Sequence, residues 1–210
     1  QGQNYSQAEK LGGLCYGEIM AEQWGAPSRE ADFFDAKADI EALFWPVPVE
    51  FDAGPHPALH PGRSARIRVG GAVAGWLGAL HPRWQQKYEL SKPAVLFEIG
   101  VEHLARRELP AAGEISRFPP VRRDISGEVD ERVPVQAILD SLRAGSPPIV
   151  TDIGVFDLYR GEGAGPGKKS LAFRVLLQDT KRTLTDAEVD AVIAQLRKIL
   201  EVQYQAKLRV

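Results

Sequence analysis

Apolar and polar positions alternate most regularly in the second half of the chain. In "TDAEVDAVIAQLRKILEVQY", Val189, Val192, Ile193, Leu196 and Leu200 recur every three or four residues, the spacing of one buried helix stripe. Thr185, followed three positions later by Glu188, is a capping box that starts this helix. "VPVQAILDSLRAG" predicts a second helix: Val135, Ile138, Leu139 and Leu142 form its stripe, Pro134 sits in its first turn and Gly145 ends it. Between and around the helices, period-two runs predict strands at "RRDISGEVDE", "IVTDIGVFDLYR", "KSLAFRVLLQD" and "AKLRV". The resulting order is βαββαβ, the ferredoxin-like split βαβ arrangement, with two helices on one face of an antiparallel sheet and the other face open.

Alternation assigns side chains to the two faces. Ile125, Gly127 and Val129 share one face of the first strand. Phe156, Leu158, Leu171, Phe173, Val175 and Leu177 are expected to face the helices. Asp157, Tyr159, Ser170, Ala172, Arg174, Lys207 and Arg209 are expected on the open face.

The first half mixes helices and strands. "ADFFDAKADIEALFW" predicts a helix with Phe33, Phe34, Ile40, Leu43 and Phe44 inward. "PVEFDAG" predicts a strand, and "SARIRVGGAVAGWLGALH" a hairpin turning at Gly70-Gly71. "HPRWQQKYEL" predicts a helix with Pro82 in its first turn, "AVLFEIG" a buried strand and "VEHLARREL" a short helix. Trp45, Trp76 and Trp84 fall in apolar stretches and are expected in the core. "LPAAGEISRFPPVRRD", with its prolines and no period, marks a boundary. The expected organisation is α+β: a mixed domain over 1–109, a linker over 110–117 and the βαββαβ domain over 118–210.

Composition narrows the function. The 210 residues are 44% hydrophobic and 26% charged, with a net charge of -2. No global basic signature exists, so any nucleic-acid contact must be local. A single cysteine, Cys15, excludes a disulfide framework and a cysteine-based zinc site, and fits a cytoplasmic setting. Its expected state is a neutral thiol. No apolar run spans a membrane. The opening "QGQNYSQAEK" reads as the edge of a piece of a longer chain.

The loop "RGEGAGPGKKS" invites a nucleotide reading, but Glu162 stands where a phosphate-cradling loop needs its first glycine, and Lys169 where it needs a hydroxyl. A strand follows it rather than a helix. The expected structure is a flexible hairpin loop. His56 and His60 have metal-ligand spacing, but Pro57 and Pro61 break any helix that would use it. No paired carboxylates suggest acid-base catalysis.

The open face fits better. An aromatic ring, a carboxylate, a small hydroxyl and several cations are the groups that stack, read and neutralise single-stranded RNA. From Phe156 to Arg182 there are six basic residues against three acidic ones. A solvated, mixed-charge sheet face is the alternative. Arg122, Arg123 and Asp124 either form an ion pair at the domain entrance or touch an RNA backbone.

"FPPVRRDI" followed by "FDLYRGEGAGPGKKSLAFRVLLQDTKRTLTDAEVD" resembles the ferredoxin-fold anticodon-binding domain that closes the β subunit of bacterial phenylalanyl-tRNA synthetases, over Phe118 to Val210. "EQWG", "DFFDAKADIEALF", "HPALHPGRSARI" and "GWLGALHP" resemble the catalytic-like domain before it, a partial class II synthetase-like domain truncated at its start. The resemblance implies an aminoacyl-tRNA ligase that uses ATP and Mg²⁺ as an α2β2 tetramer, with the active site in the α subunit. It implies no catalytic residue, cofactor or metal in this chain, and no DNA or membrane partner. Phenylalanine tRNA would meet Asp157 and Tyr159 through anticodon bases, with Ser170 and Arg174 beside them. Arg160, Lys168 and Lys169 would serve its phosphates. The competing reading of a βαββαβ domain is an amino-acid-sensing regulatory module, which buries its sheet in a dimer.

Overall fold

Strand alternation and helix stripes meet in two compact units, Gln1–Ala111 and Ala112–Val210, each with its own core. The computed structural model describes residues 7–105, 113, 115–161 and 163–209. Part of the expected linker, 110–112 and 114, lies outside the described residues, as do Glu162 and the end of the helix expected at "VEHLARREL".

In the first unit the elements are β1 (Lys10–Tyr16), α1 (Phe33–Phe44), β2 (Val49–Ala53), β3 (Leu59–Val69), β4 (Ala72–Leu80), α2 (Pro82–Lys87), β5 (Ala94–Gly100) and α3 (Val101–Leu104). The strands form a five-stranded sheet in the order β1-β5-β4-β3-β2, every neighbour antiparallel. Gly70 and Gly71 turn the β3–β4 hairpin with φ of 57° and 79°, a conformation that costs glycine nothing. Helix α1 starts on a capping box made by Asp32 and Asp35, and Arg29 clamps Asp35 through two hydrogen bonds of 2.6 and 2.7 Å. Its inward stripe is Ala36, Ile40 and Phe44, packed with Ile67, Leu77, Val95 and Ile99.

Two expectations change here. Phe34 is 70% exposed, because the stripe that meets the sheet runs through Ala36 rather than through the second phenylalanine. Trp45 is 67% exposed at the end of α1, where the chain leaves the helix and the ring has no core to enter. Trp76 and Trp84 are half-buried, Trp76 against His56 and Trp84 against Tyr88. Strand β1 carries no period of its own, since Gly12 and Gly13 interrupt it; its ladder with β5, from Lys10 opposite Gly100 to Tyr16 opposite Ala94, makes it a strand. Cys15 lies on its inner side, where burial, with Asp39 and Asp35 nearby, pushes the thiol up and keeps it protonated.

The second unit contains β6 (Val121–Asp130), α4 (Val135–Ala144), β7 (Val150–Tyr159), β8 (Lys168–Leu177), α5 (Asp186–Tyr204) and β9 (Lys207–Leu208). The sheet order is β7-β8-β6-β9, again antiparallel, which is the ferredoxin-like topology. Central strand β8 is inserted between β6 and β7, and its Leu171, Phe173, Val175 and Leu177 are all buried under the helices. The predicted stripe of α5 is buried entire: Val189, Val192, Ile193, Leu196 and Leu200. Ile138 and Leu142 of α4 meet the same core, and Tyr204 on α5 ties the helices by donating to the Ala137 carbonyl at 2.7 Å.

Strand β7 departs from simple alternation. Val155 pairs with Phe173 and Asp157 pairs with Ala172, so Phe156 is an extra residue in a bulge. Beyond it, Leu158 pairs with Leu171 but is 40% exposed and lies outside the core that the helices cover, and Tyr159 is on the open side opposite Ser170. The expectation that Phe156 faces the helices is therefore corrected: the residue is 51% exposed and its ring lies under Arg122, a residue of the open face.

The start of α5 makes a prediction. Arg182, the Thr185 backbone N–H and the Thr185 hydroxyl all hold Glu188, and they push its carboxyl far below the ordinary value of 4.5. A depressed folded-state value stabilises above the unfolded value and is lost as pH falls through the folded one. Chemical denaturation of the second unit followed from pH 5 to pH 2 is expected to show declining stability, with a shallower decline in Glu188→Gln.

Candidate nucleic-acid interface

The open face of the second sheet is lined by even-numbered positions of β6 and β8 and, past the bulge, by odd-numbered positions of β7. Most of its charges are spent on one another. Arg122 donates to both carboxylate oxygens of Asp124 at 3.0 and 3.2 Å. Arg174 donates to Asp152 at 2.8 Å and Arg209 to Glu128 at 3.0 Å. At one end Arg132 holds Asp130 through bonds of 3.0 and 3.2 Å, keeping that carboxyl at about 2. Arg123, of opposite parity on β6, reaches Asp186 of α5 at 3.5 Å.

Against this background two side chains stand out. Asp157 and Tyr159 are exposed neighbours on the open side of β7, and neither carboxylate nor hydroxyl has a hydrogen-bond or ion-pair partner among the described residues. A ring and an acceptor of this kind suit a base face and base-edge N–H donors. Ser170 lies between them and β6, opposite both Tyr159 and Glu128, and is buried.

Arg174 is less central. It is four residues from Ser170 along β8, about 13 Å, and its guanidinium is drawn to Asp152, at the far end of β7 from Tyr159.

The cations expected to serve phosphates separate into three cases. Lys168 is exposed, opposite Asp130 at the mouth of the loop. Arg160 is exposed but pairs with Glu131 at 2.8 Å. Lys169 is corrected: it is 4% exposed, on the helix side of β8 by the same alternation that buries Leu171. Its ammonium donates to the carbonyls of Glu131 at 2.9 Å and Val133 at 2.6 Å, closing the turn that leads into α4. Desolvation lowers its proton affinity, and no face of it is left for phosphate.

The described residues of the glycine loop make turn hydrogen bonds of their own. Ala164 N–H bonds to Gly161, Lys168 N–H to Gly165, and Glu131 N–H to Gly167, each at 2.9 Å. Arg209 donates to the Gly163 carbonyl at 3.2 Å. Sterics explain the glycine at position 161. A Cβ there would run into the Tyr159 ring, so the missing side chain lets the tyrosine lie over the loop.

The first unit holds a cavity of about 610 Å³ beside Phe33, Phe34, Phe51 and Arg63. Two of its polar groups have structural duties: Asp32 caps α1, and Ser64 donates to the Gly54 carbonyl at 2.7 Å. His56, His60 and His81 each precede a proline and accept a backbone N–H at Nδ1, from Ala58, Gly62 and Arg83 at 3.3, 3.0 and 3.2 Å. Among the described residues no three His, Cys, Asp or Glu side chains converge as metal ligands, and no helix is long and apolar enough to cross a membrane.

Comparison with known proteins agrees with this division. Residues 1–101 match the family described as "Phenylalanyl tRNA synthetase beta chain CLM domain", and residues 116–209 match the "Ferredoxin-fold anticodon binding domain". The chain is 57% identical over 208 residues to the phenylalanine–tRNA ligase beta subunit of Nitrosospira multiformis, covering 99% of this chain and 26% of that protein. It is 49% identical over 203 residues to the subunit of the same name from Thiobacillus denitrificans, covering 97% and 26%. For that of Burkholderia pseudomallei the identity is 47% over 216 residues, covering 99% and 27%. The chain thus spans about a quarter of the length of the curated relatives it matches. With both domain matches in series and relatives of one name across nearly all its length, the chain belongs to the phenylalanine–tRNA ligase β-subunit family.

Proposed function

We propose that the second unit binds the anticodon stem-loop of phenylalanine tRNA on its open sheet face. It acts as part of the β subunit of a cytoplasmic phenylalanine–tRNA ligase. The observation that carries this reading is the pair of unengaged groups, Asp157 and Tyr159, on a face whose arginines are otherwise neutralised. The tyrosine ring stacks a base, the carboxylate accepts from base-edge donors, and Ser170 borders the same spot. Arg174, held by Asp152, positions the strand beside them. Lys168, with Arg160 when it releases Glu131, meets the phosphate backbone. Lys169 is left out of the interface.

The first unit, in this proposal, is a class II synthetase-like domain without catalysis that packs against the α subunit in an α2β2 core. The complete enzyme joins phenylalanine to its tRNA with ATP and Mg²⁺, and that chemistry takes place in the α subunit. An amino-acid-sensing module has no counterpart among the family matches.

Binding of this chain to a phenylalanine tRNA, and to the same tRNA with an altered anticodon, tests the reading. Weaker binding to the altered RNA at both low and high salt is expected. Equal binding that disappears with salt would mean that the face holds phosphate without reading bases.

Four substitutions sharpen the test. Tyr159→Ala is expected to weaken binding by about 1–3 kcal/mol, the value of one base–aromatic stack. In the complete ligase it leaves phenylalanine activation in the absence of tRNA unchanged. Gly161→Ala is expected to weaken binding in the same direction while leaving thermal stability close to wild type, because the flexible tyrosine, not the backbone, gives way. The two lysines are expected to part company. Lys168→Ala lowers the slope of log affinity against log salt by roughly 1. Lys169→Ala leaves that slope alone and destabilises the second unit by about 1–3 kcal/mol in denaturant titrations, since two carbonyls lose their donor.

A further inference from the structure

Phe156 is where the structure departs furthest from the pattern of the sequence. It is the extra residue of the β7 bulge, with Val155 opposite Phe173 on one side and Asp157 opposite Ala172 on the other. Bulges re-aim side chains, and this one turns an aromatic ring out of the core onto the open face. The residue is 51% exposed. A lone exposed apolar residue is ordinary on a protein surface. This one is not alone, because the Arg122 guanidinium sits 5.4 Å from the ring centroid.

Arg122 is itself fixed. Both its Nε and one of its terminal nitrogens donate to Asp124, so the edge of the guanidinium is occupied and its charge is balanced. It lies over the ring, so what remains available is the face of the ring turned away from the guanidinium and the face of the guanidinium turned away from the ring. A planar, neutralised pair on an RNA-facing sheet is a stacking surface and a poor phosphate ligand. Phe156 lies three residues from Tyr159 on the same strand, about 10 Å, or about three stacked-base steps of 3.4 Å.

We infer that Phe156, backed by the Arg122–Asp124 pair, is a second base-stacking position that takes a nucleobase of the same single-stranded loop whose other base lies on Tyr159. This rests on the proposed RNA-binding role of the open face. Because the pair is charge-balanced, the contact contributes affinity without adding to the salt dependence that Lys168 confers. Stacking is tolerant of base identity, so Phe156 extends the footprint and Asp157 supplies the discrimination.

The test uses this 210-residue chain and an anticodon stem-loop RNA of phenylalanine tRNA, in wild-type form and with 2-aminopurine or an abasic site at each loop position in turn. Phe156→Ala and Phe156→Leu are both expected to lower affinity about 5- to 150-fold, by the same factor at two salt concentrations, while Phe156→Trp retains it. Leucine keeps the apolar bulk without a π-face, so its loss separates stacking from folding. One loop position is expected to show 2-aminopurine quenching that disappears in Phe156→Leu, and an abasic site there is expected to cost wild type much and the variant nothing more. If Tyr159→Ala weakens binding but Phe156→Ala and Phe156→Leu bind as wild type, the second stacking position is wrong and the open-face reading stands. If the wild-type chain does not bind the stem-loop, the open-face reading fails and this inference falls with it.

Discussion

The second unit depends on covering one face of a four-stranded sheet and leaving the other bare. Helices α4 and α5 bury Ile125, Val129, Leu171, Phe173, Val175 and Leu177 from a single side. Because side chains alternate with period two, burying one set pins the register of every strand, and a slip by one residue would bring charges under the helices. The same constraint fixes the outward set. The groups on the open face are where they are because their neighbours in sequence are needed in the core.

The outward set would be a patchwork of opposite charges if nothing organised it. Pairing does so: Arg122 with Asp124, Arg174 with Asp152, Arg209 with Glu128 and Arg132 with Asp130. Exposed pairs of this kind contribute little to stability. Their consequence here is chemical. They engage most of the face's arginines, leave Lys168 as an exposed cation at the loop mouth, and leave Asp157 and Tyr159 with hydrogen-bonding capacity unspent among the described residues. The glycine loop serves the same end, since its turns and the bare Cα of Gly161 give the tyrosine ring a place to lie.

The first unit follows a different logic. Its five-stranded sheet and α1 make a core of their own around Ile40, Ile67, Leu77 and Ile99. Several of its titratable groups serve capping and turn formation: Asp32 and Asp35 at α1, and three histidines that each close a His-Pro turn through Nδ1. That use of histidine gives His56 and His60 a structural duty in their His-Pro turns, with Nδ1 of each ring accepting from the backbone.

Period and capping signals alone were enough to recover the second unit's topology, the whole buried stripe of α5, the Gly70-Gly71 hairpin and the outward placing of Asp157 and Tyr159. These are local properties, decided by which residues repeat every 2 or 3.6 positions and by hydrogen bonds a few residues apart. Strand β1 was not legible, because Gly12 and Gly13 erase its alternation and only β5 supplies its hydrogen bonds. Trp45 and Phe34 sit in apolar stretches, yet which side of α1 meets the sheet is settled by packing. Lys169 was legible in principle, since it shares parity with Leu171, but its two carbonyl partners come from residues nearly forty positions earlier. Phe156 was not legible at all: a bulge is a mismatch between two strands, and a single strand's sequence does not contain its partner's register.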